Sequence, residues 1–171
     1  MMQSSTTSAH NLPHWWRLTR YDPARRDEHG AFPSDEWTSI SDVGRTFDGF
    51  ELTQERYERV ETAYTEAAVA FARDSGVEQL QVRGLERGSG VGEGEIVSLA
   101  AARVLVRRLL REDLVCKLEA PDDRFAVHVG FDLYMYVGST APCEAAQRQT
   151  RALGLFVEPA ATSPLWVADD E

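Results

Sequence analysis

Three short apolar segments separated by turn-forming residues constrain the fold of this chain more than any other feature. Residues 114–118, 124–129 and 133–137 are rich in β-branched and aromatic side chains, which favour strands. A Pro-Asp-Asp sequence at 121–123 and a Gly-Phe-Asp sequence at 130–132 separate them, and such residues favour tight turns. Strands joined by connections this short pair antiparallel. The sequence therefore predicts a three-stranded meander.

Further strands and three helices are predicted from apolar periodicity. The additional strands are residues 15–21, 79–85 and 155–157. The helices run from the N-cap Thr53 to Gly76, from about Glu95 to Glu112, and from Pro142 to Gly154. A meander combined with helices between other strands is typical of an α+β fold. We expect a mostly antiparallel sheet of about five or six strands, with the three helices packed on one face.

The chain length fits a single domain, because 171 residues are enough to bury a core without disulfides. Residues 1–12 are rich in Ser and Thr, and they are predicted to form a disordered N-terminal tail. Residues 13–158 are predicted to form the α+β domain, and residues 159–171 a C-terminal tail.

The charge balance limits the classes of partner. The chain has 18 basic and 28 acidic residues, a formal net charge of −10, which repels nucleic acids and anionic membranes and favours a basic protein partner. The N-terminus lacks the pattern of a signal peptide, and no apolar run reaches membrane-spanning length. We expect a cytoplasmic protein that binds neither nucleic acid nor membrane.

No metal or cofactor is predicted. The two cysteines, Cys116 and Cys143, do not form a metal-ligand pattern or a disulfide framework. His10, His14 and His29 lie in sequence expected to be flexible, which disfavours a preformed metal site.

The candidate catalytic residues lie on the meander. His128 is in the middle of a predicted strand, Asp132 follows the next turn, and Tyr134 and Tyr136 lie on the neighbouring strand. A histidine oriented by a carboxylate is a typical acid-base group. Because His128 alternates with valines, the alternative is a packed structural histidine.

Two further patterns have both a functional and a structural interpretation. The glycine run at 88–94 follows a predicted strand and precedes a predicted helix; it is either a phosphate-binding loop or a flexible connection, and the second is favoured because the P-loop ending is absent. Arg103, Arg107 and Arg111 form a stripe on the second helix. The stripe either binds an acidic group or complements the helix dipole.

A polar segment at residues 21–48 carries several aromatic residues. Exposed loops often hold binding sites, and aromatic side chains are frequent hot spots. At least half of the aromatic side chains in and before this segment are expected in the core instead. The candidate binding residues are Arg17, Arg20, Tyr21, Trp37 and Asp42.

Three sequence blocks, at residues 16–23, 36–44 and 127–138, carry a resemblance. The chain resembles a set of small bacterial proteins that share these blocks in this order, over residues 15–158. The resemblance implies no activity, cofactor or catalytic residue. By analogy, it points to immunity or defence-associated proteins.

Three functional hypotheses follow. The favoured one is a small acidic, immunity-like domain that binds another protein through the segment at 21–48 or through an acidic face. The first alternative is an enzyme or small-ligand-binding protein centred on His128 and Asp132, with Arg17 or Arg20 contacting an anion. The second alternative is a structural subunit of a larger assembly. The sequence leaves the partner and the oligomeric state open.

Overall fold

The computed structural model describes residues 11–26, 28 and 36–163. In chain order the elements are β1 (His14–Thr19), β2 (Thr46–Phe47), β3 (Phe50–Glu51), α1 (Gln54–Asp74), β4 (Gln79–Arg87), β5 (Ile96–Ser98), α2 (Leu99–Leu110), β6 (Val115–Glu119), β7 (Phe125–Val129), β8 (Tyr134–Ser139), α3 (Glu144–Ala152) and β9 (Phe156–Ala160). The described residues between β1 and β2 include two single-turn 3-10 helices, Pro23–Arg25 and Ile40–Asp42.

Seven strands form one antiparallel sheet in the order β5-β4-β6-β7-β8-β1-β9. This confirms the α+β class, the three helices and the meander, whose strands β6, β7 and β8 are neighbours. The predicted count of five or six strands is slightly too low. The strand of the sheet that the sequence did not predict is β5. The separate two-stranded hairpin of β2 and β3 was not predicted either.

The second helix begins later than its periodicity predicts. Residues Ile96–Ser98 form β5, and α2 starts at Leu99. Its start is fixed by Ser98, whose Oγ accepts a hydrogen bond from the Ala101 amide at 3.1 Å, a typical N-cap contact. The expected start at Glu95 was wrong because apolar residues of β5 happen to continue the helical spacing.

The main core lies between the helices and one face of the sheet. Successive strand residues point to opposite faces, so Trp16 and Leu18 of β1 join the main core, while Trp15 packs on the other face with Leu12 and Ala126. Helix α1 packs against both α2 and α3. The sheet therefore has one face under helices and a second face with its own small apolar cluster.

Described structure is found on both sides of residues 13 and 158, the predicted limits of the α+β domain. Residues 1–10 of the predicted disordered tail lie outside the described residues, whereas Leu12 is buried. Strand β9 continues through Ala160, two residues beyond the predicted end of the domain. In the part of the chain that the structure describes, no helix has both the length and the apolar character needed to cross a membrane.

Candidate functional site

A recess of about 510 Å³ lies where the chain leaves β1 and enters α1. We call it the Trp37 recess. Its walls come from the segment after β1, the segment before α1, the β2–β3 hairpin and the start of β9. Its lining includes Arg20, Arg25, Glu36, Trp37, Phe50 and Leu52.

Trp37 forms a fixed wall of this recess. Its backbone carbonyl accepts hydrogen bonds from Tyr21 Oη at 3.1 Å and from Arg20 Nη1 at 3.0 Å. The Arg20 guanidinium carbon lies 3.8 Å from the centre of the Trp37 ring, a cation–π contact. The ring also meets Tyr57 edge-on, with centroids 5.9 Å apart. The indole is only 3% exposed, so its orientation is set by packing from several sides.

Charges of both signs border the recess. The Glu36 carboxylate receives hydrogen bonds from Arg20 Nη1 at 3.0 Å and from Arg25 Nη1 at 3.2 Å. Tyr21, beneath Arg20, has a pKa well above its usual range because burial disfavours the phenolate. The tyrosine is therefore a neutral hydrogen-bond donor at physiological pH.

The β2–β3 hairpin places an exposed aromatic ring beside the recess. Its two-residue turn consists of Asp48 and Gly49, with φ of +50° and +82°, as a type I′ turn requires. Phe47 and Phe50 are paired across the hairpin, and Phe50 is 68% exposed. Sequence reasoning missed this ring, although Asp-Gly between two phenylalanines is a recognisable hairpin signal.

Of the predicted binding residues, Arg20 and Trp37 line the recess. Tyr21 is buried and supports the recess through its hydrogen bond to the Trp37 carbonyl. Asp42 is buried and accepts hydrogen bonds from the Thr38 amide at 2.9 Å and from Arg45 Nη1 at 3.1 Å. Its contacts therefore hold the chain that follows Trp37.

Arg17 lies apart from this recess, on the second face of the sheet. Its Nη2 is 2.9 Å from Glu158 Oε2, and Arg26 Nη2 is 2.6 Å from the same oxygen. Hydrogen bonds from Arg26, and secondarily from Arg17, hold the pKa of Glu158 below its ordinary value, although partial burial opposes them. Arg17 thus helps to anchor β9 beside β1.

His128 is placed deep under the second face of the sheet. It is 0% exposed, and its ring centre lies 5.5 Å from that of Trp15. Its Nε2 is 3.5 Å from Oε2 of the buried Glu119. His128 does not line the Trp37 recess.

The other candidate catalytic residues are distributed around this position. Tyr136 is opposite His128 in the sheet, and Tyr134 is opposite Thr19. Asp132 lies exposed in the β7–β8 turn, where its backbone carbonyl accepts a hydrogen bond from Tyr21 Oη at 2.9 Å. The carboxylate beside His128 is therefore that of Glu119, on β6, and sequence spacing alone does not reveal this neighbour.

The arginine stripe of α2 binds acids of this same chain. Arg103 Nε is 2.8 Å from Glu66 Oε1, and both Arg107 and Arg111 contact Glu61, at 3.0 and 2.8 Å. Glu61 has a side chain only 1% exposed. The three arginines therefore pair with acids of α1, and these contacts join the two helices.

The glycine run is an ordered connection into β5. Backbone amides of Gly84 and Leu85 donate to Glu93 Oε1, at 2.7 and 3.3 Å. A carboxylate of the run itself therefore occupies these donors. The run is followed by a strand, whereas a phosphate-binding loop leads directly into a helix.

The described residues contain no group of three or more His, Cys, Asp or Glu side chains arranged to hold a metal ion.

The chain matches no protein-family model, no curated protein and no solved structure.

Proposed function

We propose that this chain is a protein-binding domain whose contact surface is the Trp37 recess together with the exposed ring of Phe50. The observation that carries the proposal is the position of this ring, 68% exposed beside a recess of about 510 Å³. Binding energy at protein interfaces is concentrated in a few anchors, often aromatic, that lie next to pockets. A ring and a pocket side by side can engage a matching pocket and side chain of a partner.

Rigidity of the recess supports this proposal. Trp37 is held by hydrogen bonds to its carbonyl and by the Tyr57 ring and the Arg20 guanidinium packed against its indole. A surface that is already ordered loses little conformational entropy on binding, which favours affinity. The turn at Asp48 and Gly49 likewise fixes the direction in which the hairpin presents Phe50.

Charge supports a partner that is basic overall. The rim of the recess carries positively and negatively charged side chains, so it favours polar contacts of defined geometry. The net charge of −10 attracts a basic protein at long range. An immunity-like role, with a basic bacterial protein as the target, and a cytoplasmic location are parts of the proposal.

A catalytic role for His128 has less support. A general acid or base must come within hydrogen-bond reach of its substrate, and this side chain is completely buried. Among the residues that the structure describes, no histidine lines the Trp37 recess.

The test compares two variants that each remove one exposed aromatic ring. Phe50→Ser alters the proposed surface, and Phe131→Ser is the matched control, because Phe131 is also highly exposed and lies in the β7–β8 turn. The wild-type protein is tagged and purified from its own cells. The captured protein is identified, and its affinity for each variant is measured by calorimetry with purified components.

We expect Phe50→Ser to weaken binding at least about tenfold, as removal of an aromatic hot spot does, and Phe131→Ser to change it less than about twofold. Equal effects of the two substitutions would refute the proposed surface. Recovery of a bound metabolite with no protein partner would refute the protein-binding role.

A further inference from the structure

A second cavity, of about 320 Å³, crosses the first residues of β6. We call it the β6 cleft. It extends from the end of β4 to the β7–β8 turn, and the end of α2 contributes Leu109 to its lining. Within the described parts of the chain, the cleft and the Trp37 recess have no lining residue in common.

The cleft lies where strand pairing ends on one side of β6 and is interrupted on the other. Pairing of β6 with β7 extends only to Lys117 and His128, and residues 129–131 beyond that pair line the cavity. On the other side, the pairing of β4 with β6 shifts register between Arg83 and Arg87. Bulges of this kind are frequent next to functional sites.

Apolar groups dominate the inside of the cleft. Leu109, Leu114, Cys116 and Val129 contribute to its lining and also belong to, or pack against, the main core. Burial, with a smaller effect of Glu93, raises the pKa of the Cys116 thiol to about 11. The thiol is therefore neutral at physiological pH and acts as a soft apolar contact rather than as a nucleophile.

The mouth of the cleft exposes apolar side chains to solvent. Phe131 is 76% exposed and Val115 is also exposed, and both line the cavity. Exposed apolar groups that continue into an apolar cavity are typical of ligand-binding sites.

Charge and size define the class of ligand. Four charged residues border the cleft, and their formal charges cancel: Glu86, Arg87, Glu112 and Lys117. The net charge of −10 disfavours anions. An apolar cavity of about 150 Å³ holds benzene, so a cavity about twice as large suits two fused rings.

We propose that the β6 cleft binds an uncharged bicyclic aromatic molecule of about the size of indole. The ring system enters past Val115 and Phe131 and packs against Val129, with the small exposed edges of Leu109 and Cys116 at the inner end. This site is separate from the protein-binding surface proposed above, because no described residue lines both.

Indole itself is the probe for this proposal. ¹⁵N-labelled full-length protein is titrated with indole, and amide chemical shifts are followed by NMR. We expect saturable changes at residues 114–116 and 129–131, with a dissociation constant of about 1 mM or tighter. Nuclear Overhauser contacts are expected between indole protons and the methyl groups of Leu109 and Val129.

Two tryptophan substitutions provide the variant and its control. Val115→Trp fills the mouth of the cleft and should weaken indole binding at least tenfold. Val104→Trp places the same ring on an exposed position of α2 that does not line the cleft, and it should leave binding unchanged. Dispersed amide spectra establish that each variant is folded.

Four results would overturn the proposal. The first is the absence of saturable shifts, and the second is unchanged affinity in Val115→Trp. Equal or tighter binding of indole-3-acetate would contradict an uncharged ligand. Shifts of the same amides with protein concentration alone, without indole, would assign the cleft to Phe131 of a second copy of the chain.

Discussion

The contact between α1 and α2 provides a sharp test of the fold, because it includes a buried carboxylate, that of Glu61. Glu61 receives two hydrogen bonds from Arg111, at 2.8 and 2.9 Å, and lies 3.0 Å from Arg107 Nε. Breaking a fully buried ion pair costs roughly 3–5 kcal/mol. Here the arginine side chains are 31% and 46% exposed, so water can rehydrate them after the carboxylate is removed. For Glu61→Ala we expect a loss of about 2 kcal/mol of unfolding free energy.

Urea unfolding followed by circular dichroism measures this loss, and for a chain of this length about 2 kcal/mol corresponds to a fall in Tm of about 4–8 °C. Glu55→Ala is the matched control on the same helix, because Glu55 pairs with Arg59 at 3.3 Å with both side chains exposed. An exposed pair of this kind contributes less than about 0.5 kcal/mol. Equal losses of unfolding free energy in Glu61→Ala and Glu55→Ala would refute the conclusion that the buried Glu61 carboxylate stabilises the contact between α1 and α2.

Two further predictions concern the second face of the sheet. A Cβ at Gly138 would lie 2.6 Å from Cε2 of Trp15, so Gly138→Ala should lower the free energy of unfolding in urea by about 1–3 kcal/mol. Gly92→Ala is the control and should be nearly neutral, because no atom lies within 4 Å of a Cβ at that position. Similar losses for the two variants would contradict the packing of Trp15 on Gly138. Because Arg26 lowers the folded-state pKa of Glu158 from its ordinary 4.5, the carboxylate stabilises the fold fully above that value and less as pH falls through the lowered pKa. The stability difference between wild type and Glu158→Gln should therefore shrink between pH 6 and pH 3, and a constant difference would contradict the contact.

Local patterns predict much of this fold. The meander was predictable because its turns and β-branched strands are encoded in adjacent residues. Thr53 marked the start of α1, and its Oγ1 accepts a hydrogen bond from the Arg56 amide at 3.1 Å. Strand β5 was not predictable from pattern, because three residues provide too little periodicity and its stability comes from pairing with β4.

The site was harder to predict because it depends on contacts between distant segments. At least half of the aromatic residues Trp15, Trp16, Tyr21 and Trp37 were expected in the core, and all four are buried. Aromatic residues in polar stretches of sequence can therefore be buried at the edge of a hydrophobic core. The exposed ring, Phe50, lies on the hairpin that the sequence analysis did not identify.

The pairing of charges also required the three-dimensional structure. His128 and Glu119 become neighbours through the register of β6 with β7. The arginines of the stripe on α2 pair with glutamates of α1, about 40 to 50 residues earlier in the chain. Sequence spacing identifies groups on one element, whereas their partners on another element follow from packing.

Photo-crosslinking from the hairpin tip tests the proposed binding surface most directly. A benzoylphenylalanine is introduced in place of Phe50 in the full-length protein, expressed in its own cells and irradiated; a matched protein carries it in place of Phe131. We expect one dominant protein adduct from position 50, of a basic protein, and none of that adduct from position 131. The same adduct from both positions, or no protein adduct from position 50, would contradict the proposed surface.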